Sequence, residues 1–355
     1  MAALRRRIKS WSVEALLVTN PQDIRYLTGF VGDDSWALVQ AGSSRVTVIS
    51  DFRFEQQIER EAPHAAVVIR KGPFSDVLDQ FARRSKIKRF AVQSSTMTLA
   101  TRKALVAKLS ARRIVPVDDG LLRQRAVKDP IEVRHIRRAL RCQEEAYRRV
   151  LEELKPGQSE QHVAGRIEMH MRDLGADGTS FPSIVAADAN ASLPHAIPGR
   201  NRIKRGGIVL FDWGARWAGY CSDLTRVVAI GRMPARIREI YSIVLDAQLA
   251  AIDAIGPGRS PREVDGVARK LIDKAGFGDR FGHGLGHGIG LDIHEQPTLG
   301  SRSDGELKPG HVVTVEPGIY LPGVGGVRIE DDVLVTQRGR RVLSDLPKDL
   351  QSAVL

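Results

Sequence analysis

Apolar and polar positions follow two different rhythms along the chain. In the first part, short apolar runs alternate with longer runs that have helical spacing, and this alternation predicts an α/β domain. The predicted strands cover residues 15–19, 36–39, 46–49, 67–69 and 90–92, and the predicted helices cover residues 51–61, 74–82 and 101–109.

A long helix is predicted to open the second part of the chain. It begins at Asp129-Pro130, because Asp is a favourable N-cap and Pro fits the first helical position. It should continue to about Leu154. The 355 residues are enough for two separate cores. We therefore expect two domains, residues 1–125 and residues 126–355.

The second part contains an internal repeat. Residues 145–175 align without gaps with residues 246–276, at a constant offset of 101. Each copy predicts a helix, a Pro-Gly turn and a second helix. Strands are predicted after each copy, at residues 207–213 and 219–230 in the first half and at residues 311–320 and 326–336 in the second. Two similar halves, each giving helices and antiparallel strands, predict an α+β domain with a pseudo-two-fold axis. Such an axis is a natural place for a shared site.

Four acidic residues on or after these strands are candidate metal ligands: Asp212, Asp223, Glu316 and Glu330. Asp212 and Glu316 are 104 residues apart and Asp223 and Glu330 are 107 apart, so the repeat would bring all four together. Four ionised carboxylates in one partly buried place repel each other strongly. Two divalent cations would balance that charge, and Mn²⁺, Co²⁺ or Zn²⁺ suits such ligands. Any single acidic residue here would more simply be a cap or a solvated side chain.

A glycine-rich segment, residues 281–290, supplies a candidate imidazole ligand, His287. Its glycines do not make a phosphate-binding loop, because no Gly-Lys-Ser/Thr end follows. His283 and His287 have the spacing of a helical zinc motif, but the five glycines disfavour a helix. We expect instead a backbone that passes close to a crowded site, with both histidines pointing inward.

Composition narrows the class of protein. The net charge is +12, yet aromatic residues make up only 5% of the chain, so platforms for stacking bases are scarce and no nucleic-acid partner is expected. No apolar run is long enough to span a membrane, and the N-terminus lacks the features of a signal peptide. The two cysteines, Cys142 and Cys221, do not form a disulfide framework. Together these features predict a cytoplasmic location.

Several segments of the chain resemble the pita-bread metallopeptidases, in the branch of Xaa-Pro aminopeptidase (aminopeptidase P) and Xaa-Pro dipeptidase (prolidase). The resemblance covers almost the whole chain, and residues 18–30 resemble the creatinase-type N-terminal domain of that branch. The segments that carry it are FDWGA (211–215), CSDLTR (221–226), GHGLGHGIGLDIHE (282–295), TVEPGIY (314–320) and GVRIEDDVLVT (326–336).

The resemblance implies a role for each matching residue. Asp212 would bind one metal ion, His287 and Glu316 would bind the other, and Asp223 and Glu330 would bridge them. Glu316 would also carry a proton. The residues matching the family's substrate-binding positions are His195, His283, His294 and Arg328, of which His195 and His294 would also stabilise the transition state and Arg328 would steady the carboxylates.

The expected activity is cleavage of an Xaa-Pro bond in short proline-containing peptides, with Mn²⁺ as the preferred metal ion. An aminopeptidase is expected over a dipeptidase, because loop 296–307 lacks a clear prolidase-like signature. Arg302 could hold the carboxylate of a dipeptide, or could be an ordinary surface residue. Phe181, Ile289 and Tyr320 are either walls of a proline pocket or core residues. A non-catalytic binding protein remains an alternative, and a homodimer is expected by analogy with the family.

Overall fold

The computed structural model describes residues 1–109, 113–117 and 121–355. It divides into two compact units, residues 1–125 and residues 126–355. None of the helices in the described ranges has the length and apolar character that crossing a membrane requires.

The first unit is a six-stranded mixed sheet covered by helices. Its strands are β1 (Ala15–Val18), β2 (Trp36–Gln40), β3 (Val46–Ser50), β4 (Ala66–Ile69), β5 (Arg89–Gln93) and β6 (Arg113–Val117). They run in the order β4-β3-β2-β1-β5-β6. The helices are α1 (Ala2–Ser10), α2 (Pro21–Thr28), α3 (Glu55–Glu61), α4 (Phe74–Arg84), α5 (Leu99–Lys108) and α6 (Leu122–Ala126). Buried aliphatic residues cover both faces of the sheet, as the near-continuous apolar strands require.

Four elements of this unit were not predicted from the sequence, namely α1, α2, α6 and β6. The signals for α2 were present. Asn20 caps the helix by accepting a hydrogen bond from the Gln22 amide at 2.8 Å, Pro21 occupies the first turn, and Gly29 ends it with φ of 84°. The start of the predicted helix 51–61 is instead a short 3-10 turn, Phe52–Phe54.

Two pairs of helices frame the second unit. They are α7 (Pro130–Glu153) with α8 (Glu160–Asp173), and α9 (Ala235–Ala254) with α10 (Pro261–Lys274). Helices α8 and α10 each have 14 residues and begin 101 residues apart, as the internal repeat predicts. Asp129 starts α7 with a reciprocal capping box involving Glu132.

The strands of the second unit follow each helix pair along the chain. The first half contributes β7 (Gly178–Thr179), β8 (Ile184–Ala187), β9 (Ile208–Trp213), β10 (Ala215–Trp217), β11 (Tyr220–Cys221) and β12 (Leu224–Ala229). The second half contributes β13 (Gly286–Gly288), β14 (Glu295–Leu299), β15 (Val312–Val315), β16 (Gly318–Leu321), β17 (Gly325–Arg328), β18 (Asp331–Thr336) and β19 (Gly339–Val342). The fold is thus α+β, with a helix pair and antiparallel strands in each half, as the internal repeat predicts.

The long strands expected in each half are broken into shorter ones. A gap separates β11 from β12, another separates β15 from β16, and a third separates β17 from β18. Each gap contains one of the candidate acidic ligands. A regular strand would send alternate side chains to opposite faces, so these breaks let a carboxylate turn into the space between the two halves.

Candidate metal centre

All five candidate ligands line a single cavity. Asp212 lies on β9, paired with Thr225 of β12. Asp223, Glu316 and Glu330 lie in the three strand breaks. Ligand atoms of Asp223, His287 and Glu330 lie within 4.8 Å of one another. Strands from the two pseudo-symmetric halves therefore bring these acidic side chains and the imidazole together.

The His287 imidazole faces the carboxylates with an unprotonated nitrogen. Its Nδ1 donates to the Gly288 carbonyl oxygen at 3.0 Å, which assigns the proton of the neutral ring to that atom. Nε2 then lies 3.4 Å from Glu316 Oε1 and 3.7 Å from Asp223 Oδ2. Burial lowers the pKa of His287. A neutral imidazole with a lone pair aimed at carboxylates is the form that binds a metal ion.

Side chains around the ligands fix their orientation. The Thr225 hydroxyl donates to Glu330 Oε2 at 2.7 Å and accepts from Arg328 Nε at 3.0 Å. Arg328 also donates to Asp212. Thr314 donates to Glu316 Oε1 at 3.0 Å. Sequence reasoning missed both threonines, although each lies two residues from a ligand, the spacing of one strand face.

The negative charge of the buried carboxylates exceeds the positive charge of the side chains around them. Burial raises the pKa of Asp223, Glu330 and Glu316, to about 7 for Glu316, and the negative charges of the neighbouring carboxylates raise each pKa further. Among the described residues, Asp223 Oδ1 and Glu330 Oε1 have no hydrogen-bond partner although both are buried. Orphaned acceptors of this kind are costly unless a cation or water meets them. The donor set thus fits hard or borderline divalent cations.

The remaining predicted histidines also line the cavity. His195 and His294 are exposed, and the ring of His294 lies 4.4 Å from that of His287, centroid to centroid. His283 donates from Nδ1 to the Gly284 carbonyl oxygen at 2.8 Å, and its Nε2 accepts from the Tyr320 hydroxyl at 2.8 Å. Both nitrogens of His283 are therefore occupied. Burial lowers the pKa of His283 to about 4, so the ring stays neutral.

The glycine-rich segment approaches neighbouring backbone closely, as expected. A Cβ atom at Gly286 would come within 2.1 Å of the Thr314 carbonyl oxygen, and one at Gly288 within 2.4 Å of the Gln296 carbonyl oxygen. Helix α10 holds this segment through Arg269, which donates to the carbonyl oxygens of Phe281 and His283 at 2.9 and 2.8 Å.

The cavity has a volume of about 890 Å³. Phe181 and Arg302 are among its lining residues. Ile289 is instead fully buried in the hydrophobic core, and Tyr320 is mostly buried, with its hydroxyl engaged by His283 and Arg328. Phe181 is thus the one of the three expected walls that the cavity reaches.

Comparison with known proteins agrees with this geometry. The model of metallopeptidase family M24 matches residues 134–337, and the creatinase/prolidase N-terminal domain matches residues 1–127. An Xaa-Pro dipeptidase of Pyrococcus horikoshii is 32% identical, over 96% of this chain and 95% of that protein. The structure of an Xaa-Pro dipeptidase from Bacillus anthracis has a TM-score of 0.95 at 36% identity, covering 99% of this chain and 98% of that one.

A structure described as an X-Pro aminopeptidase from Thermotoga maritima has a TM-score of 0.91 at 34% identity, covering 98% of this chain and 100% of that one. Similarity over nearly the full length of these proteins, together with the two domain matches, defines the family. The chain belongs to metallopeptidase family M24, the pita-bread metal-dependent hydrolases, and carries a creatinase/prolidase-type N-terminal domain.

Proposed function

We propose that the protein is an Xaa-Pro dipeptidase that uses two divalent metal ions. The observation that carries the proposal is the cluster of uncompensated carboxylates and a neutral imidazole lining a peptide-sized cavity. The similarity to named Xaa-Pro dipeptidases over almost the whole chain supports the substrate class. This choice departs from the sequence analysis, which leaned towards an aminopeptidase.

The metal ligands in this proposal are the five residues named from the sequence. Asp212, Asp223, His287, Glu316 and Glu330 would together hold the two ions. When bound, divalent cations lower the pKa of water and polarise a carbonyl group. We favour Mn²⁺, with Co²⁺ or Zn²⁺ as alternatives, because oxygen ligands outnumber nitrogen in the set.

The other residues at the cavity then have distinct tasks. Glu316 receives the proton of the attacking water and passes it to the leaving proline nitrogen. His195 and His294 are exposed to the cavity and donate hydrogen bonds to the developing oxyanion. Arg328 holds Asp212 in place. His283 forms part of the cavity wall and does not hydrogen-bond to the substrate, because both of its nitrogens are already engaged.

Arg302 supports a dipeptide as the substrate. It lines the cavity, and within the described part of the chain its guanidinium forms no ion pair. Arg269, which also lines the cavity, is already engaged by Asp265 at 2.9 Å. A dipeptide places its free proline carboxylate in the site, and Arg302 offers that carboxylate a cation. An aminopeptidase acting on longer peptides is the second candidate, supported by the resemblance to the Thermotoga structure.

A substrate series tests the proposal. Hydrolysis of Ala-Pro, Ala-Pro-amide and Ala-Pro-Ala is compared with Mn²⁺, Co²⁺ and Zn²⁺. We expect Ala-Pro to be the best substrate, and Arg302→Gln to raise its KM roughly tenfold while leaving the amide unchanged. Arg262→Gln, which removes an exposed arginine paired with Asp304, is the control. Preference for Ala-Pro-Ala would favour the aminopeptidase, and metal binding without any cleavage would favour a binding protein.

Three further features are predictions of the same proposal. The substrates are short proline-containing peptides, the chain forms a homodimer, and the protein is cytoplasmic. Sedimentation of the purified protein tests the second, and fractionation of cells tests the third.

A further inference from the structure

The position of His195 depends on the loop that carries it. The loop runs from β8 to β9 and includes a 3-10 turn, Asp188–Ser192. The side chain of His195 is exposed and lines the cavity. Among the described residues, none forms a hydrogen bond with its ring. Whatever holds this loop therefore holds His195.

One buried carboxylate joins the two ends of the loop. Glu160, the first residue of α8, is completely buried. Its Oε1 accepts the Ala187 amide at 2.7 Å, and its Oε2 accepts the Gly199 amide at 3.0 Å. The same carboxylate accepts from the Asn190 side chain at 3.0 and 3.1 Å. A single side chain thus ties together residues on both sides of His195.

Backbone contacts dock the start of α8 on the same segment. The Glu160 amide donates to the Asn201 carbonyl oxygen at 3.0 Å, and the Gln161 amide donates to the Gly199 carbonyl oxygen at 3.0 Å. The positive end of the helix also favours a carboxylate in its first turn. Charge-assisted hydrogen bonds of this kind are about twice as strong as neutral ones. Both oxygens of the Glu160 carboxylate are therefore used as acceptors.

We propose that Glu160 is a positioning residue, which closes the loop of residues 188–198 and so holds His195 at the cavity. Glu160 does not line the cavity, so it acts through the loop. Glutamine at this position would keep one acceptor oxygen but would turn an NH₂ group towards amides that also donate. The backbone amide at one end of the loop, Ala187 or Gly199, would then lose its hydrogen-bond acceptor.

The test has one arm that depends on the proposed peptidase function and one that does not. In the first arm, Glu160→Gln is measured alone and together with His195→Ala, using Ala-Pro as the substrate. We expect Glu160→Gln to lower kcat/KM about tenfold to a hundredfold while bound metal is unchanged. In the His195→Ala background the same substitution should lower kcat/KM less than about twofold, because its effect passes through His195.

In the second arm, hydrogen exchange is followed in the full-length protein. Glu160→Gln should speed exchange in residues 187–203 and leave the glycine-rich segment at its original rate. Asp173→Asn, an exposed carboxylate at the other end of α8, is the matched control and should change neither measurement. If Glu160→Gln does not fold, Asn190→Ala removes one partner of the same carboxylate and should give a smaller change in the same direction.

The two arms separate the outcomes. If the wild-type protein cleaves no Xaa-Pro peptide, the proposed function fails, and the exchange rates still decide whether Glu160 holds the loop. Unchanged exchange in residues 187–203 would overturn the proposal. An equal loss of kcat/KM with and without His195 would also overturn it, since the effect would then bypass that residue.

Discussion

His287 Nε2 lies 3.4 Å from Glu316 Oε1, because His287 lies on β13 and Glu316 directly follows β15, the antiparallel neighbour of β13. An ion pair does not explain this distance, because burial lowers the pKa of His287 and raises that of Glu316, and both shifts favour the uncharged form. The imidazole is thus favoured as neutral. Two groups that would each bind a metal ion are held together by the backbone, ready for a cation that satisfies both.

Thr225 should set the strength of metal binding. Its hydroxyl donates to Glu330 and accepts from Arg328, so Thr225→Val leaves both groups without a partner. We expect metal affinity to fall about tenfold to a hundredfold. Isothermal titration of the metal-stripped protein with Mn²⁺ measures this. Thr225→Ser keeps the hydroxyl and is the control. Equal affinities for the Val and Ser variants would show that the hydroxyl has no such role.

The glycine-rich segment offers a matched pair of substitutions. A Cβ at Gly286 would meet the Thr314 carbonyl oxygen at 2.1 Å, whereas a Cβ at Gly282 would meet nothing within 4 Å. We expect Gly286→Ala to reduce the free energy of unfolding by about 3 kcal/mol, by forcing the backbone beside His287 to shift. The free energy of unfolding of Gly282→Ala should stay close to that of the wild type. Denaturant unfolding measures both, and a Gly286→Ala variant as stable as the Gly282→Ala variant contradicts the close approach.

His311 should make the stability of the protein depend on pH. Burial, helped by Lys128 and Lys308, lowers its pKa to about 4, and its Nδ1 accepts the Lys308 amide at 3.1 Å. An unfolded histidine titrates near 6.5, so the unfolded state binds the proton first as pH falls. The stability that neutral His311 provides is therefore fully present above about pH 6.5 and is lost between that value and about pH 4.

His311→Asn isolates this effect, because its side-chain oxygen can still accept the Lys308 amide. The difference in free energy of unfolding between the wild-type protein and the variant should shrink by about 2 kcal/mol from pH 7 to pH 4.5, after allowing for partial solvent screening. Urea unfolding across that range measures it. A constant difference between the two proteins would mean that His311 titrates normally in the folded state.

The sequence predicted the chemistry of the site more completely than its geometry. Asp212, Asp223, Glu316 and Glu330 could be named because an internal repeat relates them in pairs. The breaks in the strands could not be foreseen from apolar runs, which continue almost unchanged through residues 311–320 and 326–336. Those breaks depend on pairing between strands far apart in the chain.

The contacts that support the site could also not be predicted from local sequence patterns. Glu160 reads as an ordinary helix-start residue, yet its partners lie 27 and 39 residues further along the chain. Ile289 lies in the same segment as the site histidines but is buried in the hydrophobic core. The neighbours of a side chain in a strand or loop are set by tertiary packing, which periodicity does not contain.

Titration with metal tests the central claim most directly. The protein is stripped with a chelator, and Ala-Pro hydrolysis is followed as Mn²⁺ is added to wild type and to Asp223→Asn, whose folding is checked by circular dichroism. The account predicts that wild-type activity starts near zero and reaches its plateau at two ions per chain, while Asp223→Asn stays inactive. Full activity in the stripped protein, or an Asp223→Asn variant with the wild-type plateau, would contradict it.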